Sequence, residues 1–344
     1  MTGNIQAQVP DHIRLNSWEP GEPWIERSLN LRFIGDWGRA NFHKICSWLC
    51  CEIADRSGPR TRIAILNTEH GGWDAMQAVF DGEPEMCVVT PTCALPPALT
   101  GQGLFAGNPM PSLRAIATIP QDDRMLLAID PSFGVRTMAE LRDKRPPIRL
   151  ATSWDNGYNL IGYAAAKFLA AHGLNEETIR SWGGEVIYSE RPEQSLERAW
   201  SGRANAVLQE AIMMPWWRKV IEAGMVVVPA EGQALKRLEQ DLGWPSRLLE
   251  ANYFEGQSES MDAMDFSDFL LVVRADLPED VAYLLTWCLV ERRAVLEAQF
   301  SHVPSKWSPV NYPFDPRKMA QTSLPLHPGA DRFYRENGHL DPEA

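Results

Sequence analysis

Strand-like and helix-like segments alternate along most of this chain, and that alternation restricts its fold more than any other feature. Short apolar runs such as Arg62–Leu66 and Met86–Val89 are separated by amphipathic stretches such as Ala40–Asp55 and Trp73–Phe80. Strands that alternate with helices at this spacing form parallel β-α-β units. The sequence therefore predicts an α/β protein.

The alternation occurs in two runs, which a turn at Asp130–Gly134 separates. The first run ends with the predicted strand Met125–Ile129, and the second begins with the strand Ile148–Ala151. A last strand, Phe269–Val273, precedes one long helix predicted over Pro278–Gln299. Two runs of this kind predict two lobes. The other predicted elements are strands at 29–35, 113–118, 185–188, 204–208 and 226–228, and helices at 138–144, 158–172 and 192–201.

Near the end of the chain, Leu326–Gly338 has the sequence LHPGADRFYRENG. Pro328-Gly329 predicts a turn, and Asn337-Gly338 predicts the end of a short amphipathic helix. The segment resembles the "HPGAxxYYxExG" tail of the TAXI family of TRAP-transporter solute-binding proteins. Three other segments are similar to the same family, namely Phe133–Lys144, Ser201–Val207 and Phe269–Val281.

The resemblance implies a two-lobed, type II periplasmic-binding-protein-like fold, with a hinge and a cleft between the lobes. It places the hinge crossings near Asp130 and Asp265 and implies that a small organic acid binds in the cleft. The expected divisions are an N-terminal extension at 1–28, a first lobe at 29–131 plus 265–338, a second lobe at 132–264, and a tail at 339–344.

Composition excludes several classes of function. The formal net charge of −12 and a pI near 5.1 argue against a nucleic-acid-binding protein, which would carry a basic face. No apolar run reaches the roughly 18 to 20 residues of a membrane span, so stable membrane insertion is not expected. Motifs for nucleotide, metal or nucleophilic-serine sites are missing, so no cofactor and no metal are expected. The oligomeric state is left open.

The first 28 residues and the cysteines bear on the compartment. The N-terminal segment is acidic, with Asp11, Glu19, Glu22 and Glu26, and lacks the apolar core of a secretory signal. Six cysteines without a paired metal-binding spacing suit reduced thiols. Both features favour the cytoplasm, or the periplasm if an export signal has been removed.

Loops that follow the predicted strands supply the candidate ligand-binding residues, because ligands of open α/β sheets bind beyond the carboxyl ends of strands. In the first lobe Glu69 and His70 place an acid beside an imidazole. Thr90 offers a hydroxyl, although a helix N-cap is an equally good interpretation. The remaining candidates are Asp36, Trp37, Arg39 and Asn41 in the first lobe, and Ser153, Trp154, Asp155, Asn156, Gln209 and Glu210 in the second.

The chain departs from the TAXI resemblance where Trp154, Asp155 and Asn156 replace small residues. A carboxylate at Asp155 would repel a simple anion, so a ligand with an aromatic ring, an amine or hydroxyl groups fits better. Two functions remain open: a binding protein for an aromatic or hydroxylated carboxylate, and an enzyme, such as a decarboxylase or isomerase, on the same fold. In the enzyme, Glu69, His70 and Asp155 would transfer protons.

Overall fold

The computed structural model describes residues 21–35, 41–68 and 72–341. Its strands are β1 (Asn30–Ile34), β2 (Arg62–Leu66), β3 (Met86–Val89), β4 (Leu113–Ile119), β5 (Arg124–Ile129), β6 (Arg149–Ser153), β7 (Glu185–Ser189), β8 (Ala206–Gln209), β9 (Val226–Val228), β10 (Ser246–Leu249), β11 (Met261–Asp265) and β12 (Phe269–Arg274). Its helices are α1 (Asn41–Ala54), α2 (Gly72–Asp81), α3 (Met138–Lys144), α4 (Leu160–Ala171), α5 (Glu176–Ser181), α6 (Pro192–Trp200), α7 (Pro215–Glu222), α8 (Gly232–Leu242), α9 (Glu279–Glu291), α10 (Arg293–Ala298), α11 (Pro316–Met319) and α12 (Pro328–Glu336).

The strands form two separate sheets of similar design. The first has the order β2-β1-β3-β12-β4, in which β1 pairs in parallel with β2 and β3, and β12 runs antiparallel to β3 and β4. The second has the order β10-β11-β5-β8-β6-β7, with β9 also paired to β5. Its strand β6 pairs in parallel with β7 and β8, and β5 runs antiparallel to β8. The expected α/β fold of two lobes is confirmed.

The chain passes between the sheets twice, at 120–123 and at 266–268. The second passage lies next to Asp265, where the sequence predicted a crossing. The first lies before β5, whereas the sequence analysis placed that strand in the first lobe and the crossing near Asp130. Leu126 pairs with Gln209 and Ile129 with Ala206, so the hydrogen bonds of β5 belong to the second sheet.

The helices cover both faces of the sheets. One core packs α1, α9 and α12 against the first sheet, and another packs α6 and α7 against the second. A third buried cluster continues from Met76 and Val79 of α2 to Leu160 and Ala164 of α4. The two lobes therefore contact each other through apolar side chains. Within the described ranges, no helix has the length and apolar character to cross a membrane.

The predicted tail motif forms helix α12. The Nδ1 atom of His327 accepts a hydrogen bond from the backbone N–H of Gly329 at 3.2 Å, which caps the helix. A Cβ atom on Gly329 would lie 2.2 Å from the carbonyl oxygen of Glu279, so only glycine lets α12 approach α9 this closely. Phe333 and Tyr334 are buried in the same core. The geometry agrees with a structural role for His327.

None of the six cysteines forms a disulfide, and they differ in exposure. Cys51 is exposed, whereas burial raises the pKa of Cys50 to about 12 and raises that of Cys93. Because the thiolate is the reactive form, we expect a disulfide reagent such as DTNB to modify one thiol of the folded protein rapidly, and all six only after unfolding. Cys51→Ser should remove the rapid phase; a rapid phase that persists in this variant would contradict the assignment.

Candidate functional site

The carboxyl ends of the parallel strands lie at one edge of each sheet, where the loops begin helices. In the first lobe Ile34 pairs with Leu66, and the backbone N–H of Gly35 donates to the Leu66 carbonyl oxygen at 3.0 Å. In the second lobe Ser153 pairs with Ser189. Parallel strands that end at the same edge of a sheet bring the starts of the following helices together. In open α/β sheets, ligands bind at this edge.

Several predicted residues of the first lobe lie outside the described residues, namely Asp36, Trp37, Arg39, Glu69 and His70. Asn41 begins α1, and its side chain also lies outside the described part of the chain. Their assignment to a ligand site stays a prediction.

Two side chains that the sequence analysis did not select are located beside these loops. Neither the Nδ1 atom of His43, in the first turn of α1, nor the indole Nε1 atom of Trp73, in the first turn of α2, has a hydrogen-bond partner among the described residues, although both atoms are buried. Buried polar atoms are normally paired, so an unpaired one at a site edge calls for an explanation such as a ligand or a water. Sequence shows only that both residues follow candidate loops.

The helices that begin at this edge also join the lobes. The ring of Trp73 from α2 meets the ring of Tyr158 edge to face, with centroids 5.0 Å apart. A Cβ atom placed on Gly72 would lie 3.0 Å from the Cδ1 atom of Leu160 at the start of α4. The starts of α2 and α4 therefore face each other, one from each lobe.

The loop between β6 and α4 satisfies its own backbone donors. The Oδ1 atom of Asn156 accepts from the backbone N–H groups of Tyr158 and Asn159, at 3.1 and 3.0 Å. The Oδ1 atom of Asn159 accepts from Ile161 and Gly162, at 2.9 and 3.2 Å, and caps α4. Asparagine oxygens thus occupy the donors with which a helix start could bind an anion.

The same loop carries an exposed tryptophan. The side chain of Trp154 is 56% exposed and stacks on Tyr188 of β7, with centroids 6.2 Å apart and an interplanar angle of 24°. Tyr158 and Leu66 are exposed at the same carboxyl edges, and Asp155 is exposed beside Trp154. Large apolar side chains that remain exposed around a cleft are typical of a binding surface.

The other predicted residues of the second lobe are buried and paired. The Nε2 atom of Gln209 donates to the Oγ atom of Ser153 at 2.9 Å, and its Oε1 atom accepts from the backbone N–H of Glu210 at 3.0 Å. The side chain of Glu210 forms a hydrogen bond with the carboxyl of Asp123, and burial raises the pKa of Asp123. These contacts hold the end of β8 in place, and contact of the three residues with ligand stays a prediction.

Thr90 lies at the second crossing. Its hydroxyl group donates to the carbonyl oxygen of Asp268 at 2.9 Å and lies 3.3 Å from the Oε1 atom of Gln121. The N-cap position of the following helical turn is Pro91, without a side-chain hydrogen bond, so Thr90 is not a helix cap. It joins the two segments that cross between the sheets.

Comparisons with known proteins gave similar solved structures and one family match. A search of curated proteins gave no match. Solved structures with similarity include a periplasmic transporter (14% identity, 91% of this chain and 94% of that chain, TM-score 0.47). MatC from Rhodopseudomonas palustris with bound malate has 11% identity, and the match covers 77% of this chain and 84% of that chain with a TM-score of 0.43. The alkanesulfonate-binding protein SsuA from Xanthomonas axonopodis pv. citri bound to MOPS has 14% identity, and the match covers 84% of this chain and 88% of that chain with a TM-score of 0.40.

At these identities and TM-scores the similar structures identify no ligand for this chain. The comparisons also give no support to the cytoplasmic location that the sequence analysis favoured. A family match is more extensive, because it covers residues 49–338 and therefore both lobes. The chain belongs to the NMT1-like family.

Proposed function

We propose that this chain is a solute-binding protein, similar to those of the TAXI family, that holds a small organic acid between its lobes. The ligand class is a carboxylate with an aromatic or hydroxylated body. The proposal depends on two buried nitrogen atoms at the carboxyl edge of the first sheet, those of His43 and Trp73, which have no hydrogen-bond partner among the described residues. An acid bound there would supply the acceptor that the Trp73 N–H lacks.

The hydrogen bonds at the start of α4 indicate which part of the ligand each lobe would bind. Asn156 and Asn159 already occupy the backbone donors at the start of α4, so the second lobe has few donors left for a carboxylate. We assign the carboxylate to the first lobe, where Arg39 adds a cation that suits it. The second lobe would bind the body of the ligand on its exposed aromatic side chains.

A thermal-shift series of aromatic and aliphatic carboxylates tests the proposal, because a ligand that binds only the folded protein raises its melting temperature. For the acid that stabilises most, Trp73→Phe should keep the ring and remove the N–H donor. A hydrogen bond to a charged group contributes about 1.5–3 kcal/mol, so the dissociation constant should rise about 10- to 100-fold.

Trp48→Phe is the matched control for this variant. Trp48 also has a buried, unpaired Nε1 atom, but it packs in the core between α1 and the first sheet. This variant should bind the acid as the wild type does. Stabilisation by no carboxylate, or equal weakening by both variants, would reject the assignment.

The enzyme alternative uses the same site. Of Glu69, His70 and Asp155, only Asp155 is among the described residues, where it is exposed. The acid that binds should therefore be incubated with the protein and examined for decarboxylated or isomerised product. Turnover that Glu69→Gln abolishes while binding persists would establish the enzyme in place of the binding protein.

A further inference from the structure

A group of exposed aromatic side chains lies on the second lobe, beside the point where the lobes meet. This group, the lobe-2 aromatic patch, consists of Trp154 and Tyr188. Trp154 and Tyr188 stack nearly parallel, and more than half of the tryptophan surface remains exposed. Because Tyr188 covers one face of the indole, the exposed area leaves a π surface available to a ligand.

The patch has a negative electrostatic environment. Asp155 directly follows Trp154 and is exposed like it. Burial is the main cause that raises the pKa of Tyr163 and of Tyr188; the charge of Asp155 adds to it at Tyr163, and at Tyr188 it adds less than the hydrogen bond to Glu176. Among the residues that the structure describes, neither Asp155 nor Glu190 at the end of β7 forms an ion pair.

Two cations of this region, Arg180 and Lys167, have partners. Arg180 forms an ion pair with Glu176 at 2.6 Å, and Glu176 also accepts a hydrogen bond from the Tyr188 hydroxyl at 2.9 Å. The Nζ atom of Lys167 lies over the ring of Tyr163, 5.1 Å from its centroid. Tyr163 thus accepts an ammonium group at the distance typical of a cation–π interaction.

We propose that the lobe-2 aromatic patch binds a cationic ammonium group, which rests on the free face of Trp154 beside the Asp155 carboxylate. The inference rests on the proposed function and makes it more specific. A ligand with its carboxylate on the first lobe and an ammonium group on the second is a zwitterion. An exposed indole next to an exposed carboxylate, which forms no ion pair with a described residue, favours a cation over a neutral group of the same shape.

Tetramethylammonium is a suitable probe, with tert-butyl alcohol as a neutral molecule of similar shape. Isothermal titration calorimetry of the full chain should show saturable binding of the cation, and binding of the alcohol should be at least about 10-fold weaker. Asp155→Asn should weaken cation binding about 10-fold, and Trp154→Leu should abolish it. Trp24→Leu, which replaces another exposed tryptophan, should leave binding unchanged.

The outcomes separate this inference from the proposed function. If carboxylates stabilise the protein but the cation does not bind, or binds equally well to Trp154→Leu, the inference is overturned and the binding function stands. If neither class of ligand binds, both are overturned. Equal affinity for the cation and the alcohol would reduce the patch to an apolar surface and would also overturn the inference.

Discussion

Replacing Gly162 by alanine is expected to abolish ligand binding and to lower the free energy of unfolding by about 2 to 3 kcal/mol. Gly162 lies in the first turn of α4, under the loop that carries Trp154 and Asp155. A Cβ atom there would lie 2.1 Å from the carbonyl oxygen of Trp154 and 2.5 Å from the backbone nitrogen of Asp155. Because both atoms belong to the backbone, no rotamer change can relieve the clash, and the whole loop must move.

Gly232→Ala provides the matched control. Gly232 begins α8, and a Cβ atom there would have no neighbour within 4 Å. Alanine has a higher helix propensity than glycine, so this variant should be as stable as the wild type or more stable by up to about 1 kcal/mol. Chemical unfolding and ligand titration of both variants check the prediction. Normal ligand affinity in Gly162→Ala would show that the loop position does not matter for binding.

Local pattern was sufficient to predict most of the elements, because a buried strand or an amphipathic helix has a periodicity visible within a few residues. The strands β2, β3 and β9 and helix α3 have the predicted bounds. The predicted helix over 278–299 is instead two helices that meet at Arg292, whose guanidinium group lies 3.2 Å from the Glu52 carboxylate. Arg292 and Glu52 are distant in sequence, so the periodicity of the helix does not reveal their contact.

The sheet to which a strand belongs is a property of the whole fold. The sequence of β5 is uniformly apolar and suits either lobe, and only its pairing with β8 assigns it to the second. The strands β10 and β11 were not predicted. Three of the four residues of β10 are exposed, and β11 contains two aspartates, so neither has the apolar run that indicates a strand.

Some features of the candidate site could be predicted from the sequence, and others depend on the whole fold. Asn159 directly precedes a helix, and asparagine is a preferred N-cap, so its role in the loop could have been predicted from the sequence. The unpaired state of His43 and Trp73 could not, because it depends on which partners the fold fails to provide. Trp154 and Asp155 stand out in the sequence because they depart from a family pattern, and both are exposed at the expected edge.

Asp123 should be the most important polar residue for the connection between the lobes. Its carboxyl is fully buried at the first crossing and accepts hydrogen bonds from the backbone N–H groups of Arg124, Ala211 and Ile212, at 2.7, 3.0 and 3.0 Å. Asp123→Ala would remove the carboxyl that accepts from these three backbone donors. Each such loss costs about 1–3 kcal/mol, so we expect destabilisation of at least about 3 kcal/mol in total.

Asp276→Ala is the control for this variant, because the Asp276 side chain is 69% exposed and forms its ion pair with Arg274. An exposed ion pair contributes at most about 1 kcal/mol, so this variant should unfold almost as the wild type does. Urea unfolding measures both variants under the same conditions. A cost below about 1 kcal/mol for Asp123→Ala would show that water or a rearranged loop replaces the carboxyl.

The hydrogen bond between the carboxyls of Asp123 and Glu210 also predicts a dependence on pH, since two carboxyl groups can form it only when one carries a proton. Burial raises the pKa of Asp123, and burial likewise raises that of Asp268 at the second crossing to about 6. In the unfolded chain both titrate near pH 4, so between about pH 4 and 6 the folded protein holds protons that the unfolded chain has released. These groups therefore stabilise the fold below about pH 4, and this contribution is lost as pH rises through about 6.

Glu210→Gln keeps a donor to Asp123 at every pH, so the stability of this variant relative to the wild type should increase as pH rises from about 4 to about 6. Comparing the two proteins cancels groups such as Asp280, whose pKa is lowered by its hydrogen bond to Arg27. A difference in unfolding free energy that stays constant from about pH 4 to about pH 8 would show that the two carboxyls do not share a proton.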